Sequence, residues 1–334
     1  MKAFVVDKYK KKGALRLASL PEPELQDNDV LVRIQATAVN QLDSKVRDGE
    51  FKLILPYRPP FVLGHDLAGT VVKVGSRVRR FKVGDEVYAR PRDPRVGTFA
   101  EFIAIDEADA ALKPSNLSMS EAASVPLVGL TAWQALVEVG KIKPGQKVFI
   151  QAGSGGVGTF AIQLAKHLGA AVATTTSAEN AELARSLGAD VVIDYKTQDF
   201  EKILSGYDLV LNSQDPKTLE KSLGVLKPGG RLISISGPPD PAFARELGLN
   251  LLLKLVLWLL SRGVRRKAKR LGVAYSFLFM RAEGRQLGEI ARLIEQGVIR
   301  PVVDKVFPFE KTEDALAYVE TGRAKGKVVI AVAN

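Results

Sequence analysis

The chain has 334 residues, 46% of them hydrophobic and 25% charged, with no cysteine and a formal net charge of +11. That size and balance predict a globular protein of two domains with ample core. The missing cysteines exclude disulfides, thiolate zinc sites and a cysteine nucleophile.

The chain opens on MKAFVVDKYKKKG, in which a short apolar run precedes lysines. That is the wrong order and length for a secretory signal, so the stretch reads as a first strand, and the missing cysteines fit an expected cytoplasmic, reducing compartment. Residues 1–115 continue as short strands, AFVVD, VLVRIQATAVN, LAGTVVKVGS, DEVYAR and TFAEFIAID, broken by glycines and prolines. The alternation of Val30, Val32 and Ile34 with smaller or polar neighbours predicts antiparallel strands with one buried face. This part reads as a compact β-rich barrel. From Ser120 the texture becomes helical, with a second helix expected over Thr131 to Val139, joining the two domains.

Residues 147–169, KVFIQAGSGGVGTFAIQLAKHLG, organise the rest. An apolar run breaks into Gly153-Ser154-Gly155-Gly156-Val157-Gly158, and a helical pattern follows through Phe160, Ile162, Leu164 and Leu168. Glycine lets the backbone bend tightly, lets a pyrophosphate approach without a Cβ in the way, and packs helix against strand. Amides at the helix start then face the phosphates, where the helix dipole favours negative charge. Strands and helices alternate onward through AVATTT, AENAELARSLG, DVVIDY, a helix near DFEKIL, DLVLNS, KTLEKSLGVLK and GRLISISG, with YSFLF as a sixth strand. That spacing predicts a doubly wound parallel α/β sheet of the Rossmann type. The second strand ends in Thr174, Thr175, Thr176 and Ser177, hydroxyls where an NAD-selective fold carries Asp or Glu, and this points to NADPH. Glu179 is expected in the first turn of the next helix.

Residues 249–271, LNLLLKLVLWLLSRGVRRKAKRL, stand apart. The apolar part is about a dozen residues, short of the ~18–20 that span a bilayer. Much of the chain's positive excess follows it, at Arg262, Arg265, Arg266, Lys267, Lys269 and Arg270. Without a zinc-finger, RRM or recognition-helix pattern, that cluster does not indicate nucleic acid. The segment reads as a packed lid or dimer element, ahead of an interfacial membrane helix, because an apolar patch of that size must be covered. The remaining pattern, EGRQLGEIARLIEQG, IRPVVDKVF, TEDALAYVETG and KVVIAV, suggests antiparallel elements returning to the first domain. The expected division is 1–122 with 281–334 against 123–280, the latter holding an apolar and basic insertion at about 245–272.

VLVRIQATAVNQLDSKVRDG, GHDLAGTVVKVGSRVRRFKVGDEVYA, AASVPLVGLTAWQAL, the glycine turn, LGADVVIDYKTQDF and GRAKGKVVI together resemble the medium-chain dehydrogenase/reductase superfamily, and within it the zinc-independent quinone oxidoreductases and enone or alkenal reductases. The resemblance implies a GroES-like β-rich domain joined to a Rossmann domain. It also implies hydride transfer from NADPH to a small-molecule quinone or enone, with a homodimer as the expected assembly. Asn40 stands where zinc alcohol dehydrogenases carry a first Cys ligand, and the region of Val128 replaces another. His65 alone cannot hold zinc and reads as structural, with Asp66 beside it a packing carboxylate, so no metal is expected.

By the same resemblance Asn40 and Lys45 meet the nicotinamide and ribose and are the candidate catalytic residues. Ser177, Asn180 and Tyr195 would surround the 2′-phosphate; no basic residue stands at the strand's tip, so its charge would be met by hydroxyls, the domain's general positive field and Lys45 or Arg323. Thr131, Ile235, Val302, Val303, Arg323 and Lys327 are further cofactor contacts. Independently of the resemblance, Tyr57 and Arg58 lie in a loop that could face substrate.

Overall fold

The computed structural model describes residues 1–55, 57–93 and 95–332. Two compact units emerge, Met1–Leu130 with Arg281–Asn334, and Thr131–Met280. The division falls at Leu130, within a helix, rather than at the expected 122/123.

In chain order the elements are β1 (Lys2–Val6), β2 (Arg16–Ser19), β3 (Asp29–Val39), α1 (Gln41–Asp48), β4 (Phe61–Val62), β5 (Asp66–Val74), β6 (Glu86–Ala89), β7 (Phe102–Asp106), β8 (Ala110–Leu112), α2 (Met119–Ala123) and α3 (Pro126–Trp133). The next run is β9 (Lys147–Ile150), α4 (Gly156–His167), β10 (Ala171–Thr176), α5 (Ala181–Ser186), β11 (Val191–Asp194), α6 (Phe200–Ile203), β12 (Tyr207–Asn212), α7 (Pro216–Ser222), β13 (Leu226–Ser234), α8 (Pro241–Glu246), α9 (Leu251–Arg270) and β14 (Ala274–Phe277). The chain closes with α10 (Gly284–Glu295), β15 (Val303–Pro308), α11 (Thr312–Glu320) and β16 (Lys327–Ala331).

The first unit is β-rich. One sheet runs β2-β1-β4 and a larger one runs β15-β16-β3-β5-β6-β8, with β7 also pairing β3. β3 is its spine, and here the expected single buried face gives way. Nearly every residue from Asp29 to Val39 is buried, because the strand pairs β5, β7 and β16 and is covered on both faces. Val30, Val32 and Ile34 meet Leu67, Val71, Val87 and Ile105 in the core. At the chain's end the expected antiparallel return is half realised. β16 runs antiparallel to β3, but β15 and β16 are parallel, since α11 crosses over between them.

The second unit is a six-stranded sheet in the order β11-β10-β9-β12-β13-β14, and the pairings between neighbours are parallel. Numbered from β9, this is the 3-2-1-4-5-6 order of a dinucleotide-binding sheet, whose direction of winding reverses beside the first strand. Continuously apolar strands fit a sheet covered on both faces. Phe149, Ala173, Val210 and Leu232 lie in one cluster with Phe200, Leu223 and Val264 from the helices. The helix expected over Thr131–Val139 divides into the end of α3 and a π-helical segment, Gln134–Val139. Glu179 sits in a 3-10 turn, Ala178–Asn180, ahead of α5 rather than inside it.

Candidate functional site

In the second unit β9 runs into the glycine turn and α4 begins at Gly156 with Gly155 as its N-cap. The glycines divide their work. A Cβ at Gly153 would stand 2.1 Å from Thr174 Oγ1, and one at Gly158 would stand 2.2 Å from the Ala152 carbonyl oxygen, so these two glycines let strand, turn and helix pack. A Cβ at Gly155 meets only the Ala152 oxygen, at 3.3 Å, leaving open space over the helix start. The turn is stapled to β10 by Gly153 N–H donating to the Thr175 carbonyl at 2.9 Å and Ala152 N–H to Thr175 Oγ1 at 3.2 Å.

The same register brings the hydroxyl-bearing strand end to the turn. Thr176 donates to Ser154 Oγ at 2.8 Å, and Asn180 Nδ2 lies 3.2 Å from Ser177 Oγ and 3.5 Å from Ser154 Oγ. Asn180 Oδ1 is buried without a partner. An orphaned acceptor beside three polar side chains fits a hydroxyl of the adenosine ribose, and the uncrowded helix start fits the phosphates of a dinucleotide. Glu179, the nearest carboxylate in sequence, is exposed and lies 4.0 Å from Lys196. Tyr195 is exposed and its N–H bonds the Thr176 carbonyl at 3.2 Å, so Tyr195 adjoins the hydroxyl group. Lys196 follows it directly, a cation 4.0 Å from Glu179 that sequence reasoning did not assign to the 2′-phosphate. Its position after Tyr195 in VIDYKTQDF was the available signal.

Sequence reasoning also missed a buried polar chain at the carboxyl ends of β9, β12 and β13. Gln151 donates to Ser222 Oγ at 2.5 Å, Asn212 to Gln151 Oε1 at 2.6 Å, and Ser234 to Asn212 Oδ1 at 2.6 Å. Ser234 Oγ accepts from Gly237 N–H at 2.8 Å, so this chain holds the loop that carries Ile235. Ile235 itself is half-buried, its N–H bonded to the Asn212 carbonyl, and Thr131 is buried at the end of α3.

The first unit gathers a separate group around Asn40. Its N–H donates to Asp43 Oδ2 at 2.6 Å, starting α1, and its Nδ2 donates to Asp66 Oδ2 at 2.8 Å. Lys327 reaches Asn40 Oδ1 at 2.5 Å, the Val39 carbonyl at 3.2 Å and Asp66 Oδ2 at 3.1 Å. Asp66 Oδ1 accepts from Leu127 N–H at 2.7 Å. Asn40, expected to be catalytic, has both ends of its amide committed to Asp66 and Lys327, a bracing geometry at the start of α1. Lys327, expected to touch cofactor, is likewise buried in this ion pair. Val302 and Val303 join the group, with Lys327 N–H on the Val302 carbonyl at 2.8 Å and Val303 in register with Lys327. Lys45 is half-buried on α1, and among the described residues its Nζ has no carboxylate partner. Arg323 is exposed, in the turn before β16.

Beneath Asn40, His65 is fully buried with Nδ1 2.6 Å from Asp43 Oδ1 and with Nε2 unpartnered. Tyr57 donates to Asp93 Oδ1 and Arg90 to Asp93 Oδ2, each at 2.7 Å. Burial pushes the Asp93 carboxyl up, but Arg90, His65 and the Tyr57 hydrogen bond together hold it below its ordinary value. Burial first, and Asp93 second, raise the Tyr57 phenol. Tyr57 is buried rather than turned to substrate, while Arg58 is exposed.

Two family models match the chain, the alcohol dehydrogenase GroES-like domain over residues 26–115 and the zinc-binding dehydrogenase model over 187–330. The chain is 36% identical to the chloroplastic NADPH-dependent alkenal/one oxidoreductase of Arabidopsis thaliana, an alignment covering 99% of this chain and 79% of the relative. It is similar in structure to the quinone oxidoreductase from Coxiella burnetii, at TM-score 0.87 and 30% identity, covering 100% of this chain and 99% of that one. A mycobacterial protein solved in complex with NADPH matches at TM-score 0.82 and 28% identity over 99% of this chain and 100% of its own. The zinc in the second model's description does not fit these residues. Asn40 is braced, His65 is turned to Asp43, and among the described residues no group of three or more His, Cys, Asp or Glu could hold a metal ion.

Proposed function

The chain belongs to the medium-chain dehydrogenase/reductase superfamily, and from that premise we propose an NADPH-dependent oxidoreductase that reduces quinones or the activated C=C of α,β-unsaturated carbonyls. The observation that carries the reading is the polar cluster of Ser154, Thr176, Ser177 and Asn180, free of carboxylate, around the unpartnered Asn180 Oδ1. Its hydroxyls and Asn180 Nδ2 can donate to a 2′-phosphate where an Asp or Glu would reject one, and the alkenal/one relative is named NADPH-dependent. Nicotinamide supplies a hydride when bound.

The chain's own residues bind and orient. The open helix start at Gly155 and Gly156 takes the pyrophosphate, and Lys196, Tyr195 and the hydroxyls take the adenosine end. The Gln151–Asn212–Ser234 chain fixes the loop bearing Ile235, and Lys45 offers a cation to ribose or to a developing enolate. Conjugate addition needs no Lewis acid, because the substrate's own carbonyl makes the β-carbon electrophilic. Solvent then delivers the proton to the α-carbon, consistent with the lack of any recognised general acid.

The expected compartment is the cytoplasm. No helix among the described residues is long and apolar enough to cross a membrane. The relative just described is chloroplastic, so location varies among such proteins. A homodimer is proposed as the assembly, with β14 as the edge strand available to a second copy.

Loss of NADPH absorbance against a panel of quinones, enones and alkenals tests the function. Turnover with NADPH well ahead of NADH is expected. NADPH binding without turnover on the whole panel would instead assign a redox sensor, and turnover on a single enoyl substrate would assign a dedicated reductase.

A further inference from the structure

α9 is twenty residues long and is capped by Asn250, whose Oδ1 accepts from Leu253 N–H. Its buried positions, Leu257, Ser261, Val264 and Ala268, recur every three or four residues and form one stripe against the second unit. The opposite stripe is uncovered by that unit. Leu251 is 84% exposed, Leu252 70%, Leu255 54%, Leu259 52% and Leu260 62%, far beyond the scattered leucines of an ordinary surface. The packed cover expected for this segment is thus absent from its own unit.

The two halves of the uncovered stripe differ. Its first turns are leucine and its last turns carry Arg262, Arg266, Lys269 and Arg270. The helix holds seven Lys and Arg and no Asp or Glu. Among the described residues only Lys267 of these forms an ion pair, with Glu220 at 3.0 Å. Trp258 stands between the halves, with Arg262 and Arg265 over its ring at 5.5 and 5.7 Å. Such an aromatic belongs at the level where apolar matter meets headgroups.

We propose that α9 docks on the surface of an anionic phospholipid bilayer, its leucine half inserted at the acyl boundary and its basic half over the headgroups. Charge selects this occupant. A second copy of the chain offers leucines in return but presents the same cations and no acidic counterpart from its own α9, whereas an anionic leaflet answers both halves at once. The helix lies on the membrane and does not cross it.

Co-sedimentation of the full chain with phosphatidylcholine vesicles, with and without phosphatidylglycerol, tests this. Binding to the anionic vesicles, weakened by salt above ~0.5 M, is expected. Arg262→Gln/Arg266→Gln is expected to weaken it about thirtyfold, near fivefold per cation. Leu255→Ser/Leu259→Ser is expected to lose it, while circular dichroism and the melting temperature of both variants stay as in the parent. No binding to anionic vesicles overturns the proposal, as does binding indifferent to both variants. So does a dimer that Leu255→Ser/Leu259→Ser converts to monomer, which would make the stripe a self-association surface. None of these readouts depends on the reductase reading, so either conclusion can fail alone.

Discussion

Lys327 Nζ lies 2.5 Å from Asn40 Oδ1 and 3.1 Å from Asp66 Oδ2, so one buried cation ties β16 to the start of α1 and to β5. Its side chain is 6% exposed and that of Asp66 is 0%, which makes each the other's main compensation for leaving water. Lys327→Met is expected to cost the first unit about 3–5 kcal/mol, since it strands the Asp66 carboxylate. Asp66→Asn/Lys327→Met should recover more than half of that, because no charge is left unpaired. Urea unfolding of the four members of the cycle measures the coupling. Additive losses would show that the pair is not a unit.

How far the site was legible follows the range of its interactions. The glycine turn announced itself because sterics demand Gly153 and Gly158 locally, and the hydroxyl strand end lies only one crossover away. Lys327 was marked by GRAKGK, but its partner Asp66 is 261 residues distant, so nothing local distinguished a lysine that meets a ligand from one that braces a carboxylate. Gln151, Asn212 and Ser234 looked like ordinary polar strand ends until the parallel register set them side by side. β3 was misjudged on its faces, since alternation in sequence does not reveal that three neighbouring strands and both layers will cover it. In α9 the segregation of leucine and arginine was visible, whereas the uncovered stripe emerged only with the packing.

The division of labour among the glycines predicts a split between folding and binding. Gly158→Ala pushes a Cβ to 2.2 Å from the Ala152 oxygen and 2.7 Å from Gly153 Cα, so the turn must open, at an expected loss of about 2–3 kcal/mol. Gly155→Ala meets nothing closer than 3.3 Å and should leave the melting temperature nearly unchanged while raising KM for NADPH. Thermal melts and steady-state kinetics on the two variants separate the effects. A Gly155→Ala enzyme with parental KM would remove the turn from the cofactor site.

Cofactor choice is expected to yield to one charge. Ser177 is buried beside Asn180 Nδ2, and Ser177→Asp places a carboxylate where it would repel a 2′-phosphate and accept from a ribose 2′-hydroxyl. The ratio of kcat/KM for NADPH over NADH should fall on the order of a hundredfold, since juxtaposed like charges cost several kcal/mol. Lys196→Gln should lower the same ratio by a smaller factor, its side chain being more than half exposed. A ratio unmoved by Ser177→Asp would place the phosphate elsewhere.

Asp93 gives the first unit an acid-sensitive support. Its carboxyl is held below the ordinary value of 3.8 in the fold, with Arg90 and Tyr57 bonded to it and His65 nearby, so the folded state binds this proton less readily than the unfolded chain does. The stabilisation is therefore complete above about pH 5, begins to fade as pH approaches the unfolded value, and is lost as pH falls through the lowered one. Asp93→Asn removes it and leaves the Arg90 guanidinium, 1% exposed, without its carboxylate, at an expected loss of about 3 kcal/mol near neutrality. The gap between parent and variant should then narrow steadily below pH 4, because acid neutralises Asp93 in the parent while asparagine has nothing to titrate. Unfolding free energies of both proteins from pH 7 down to pH 3 measure that convergence. A constant gap across the range would mean that the Asp93 charge contributes nothing and that the variant is weakened by packing alone.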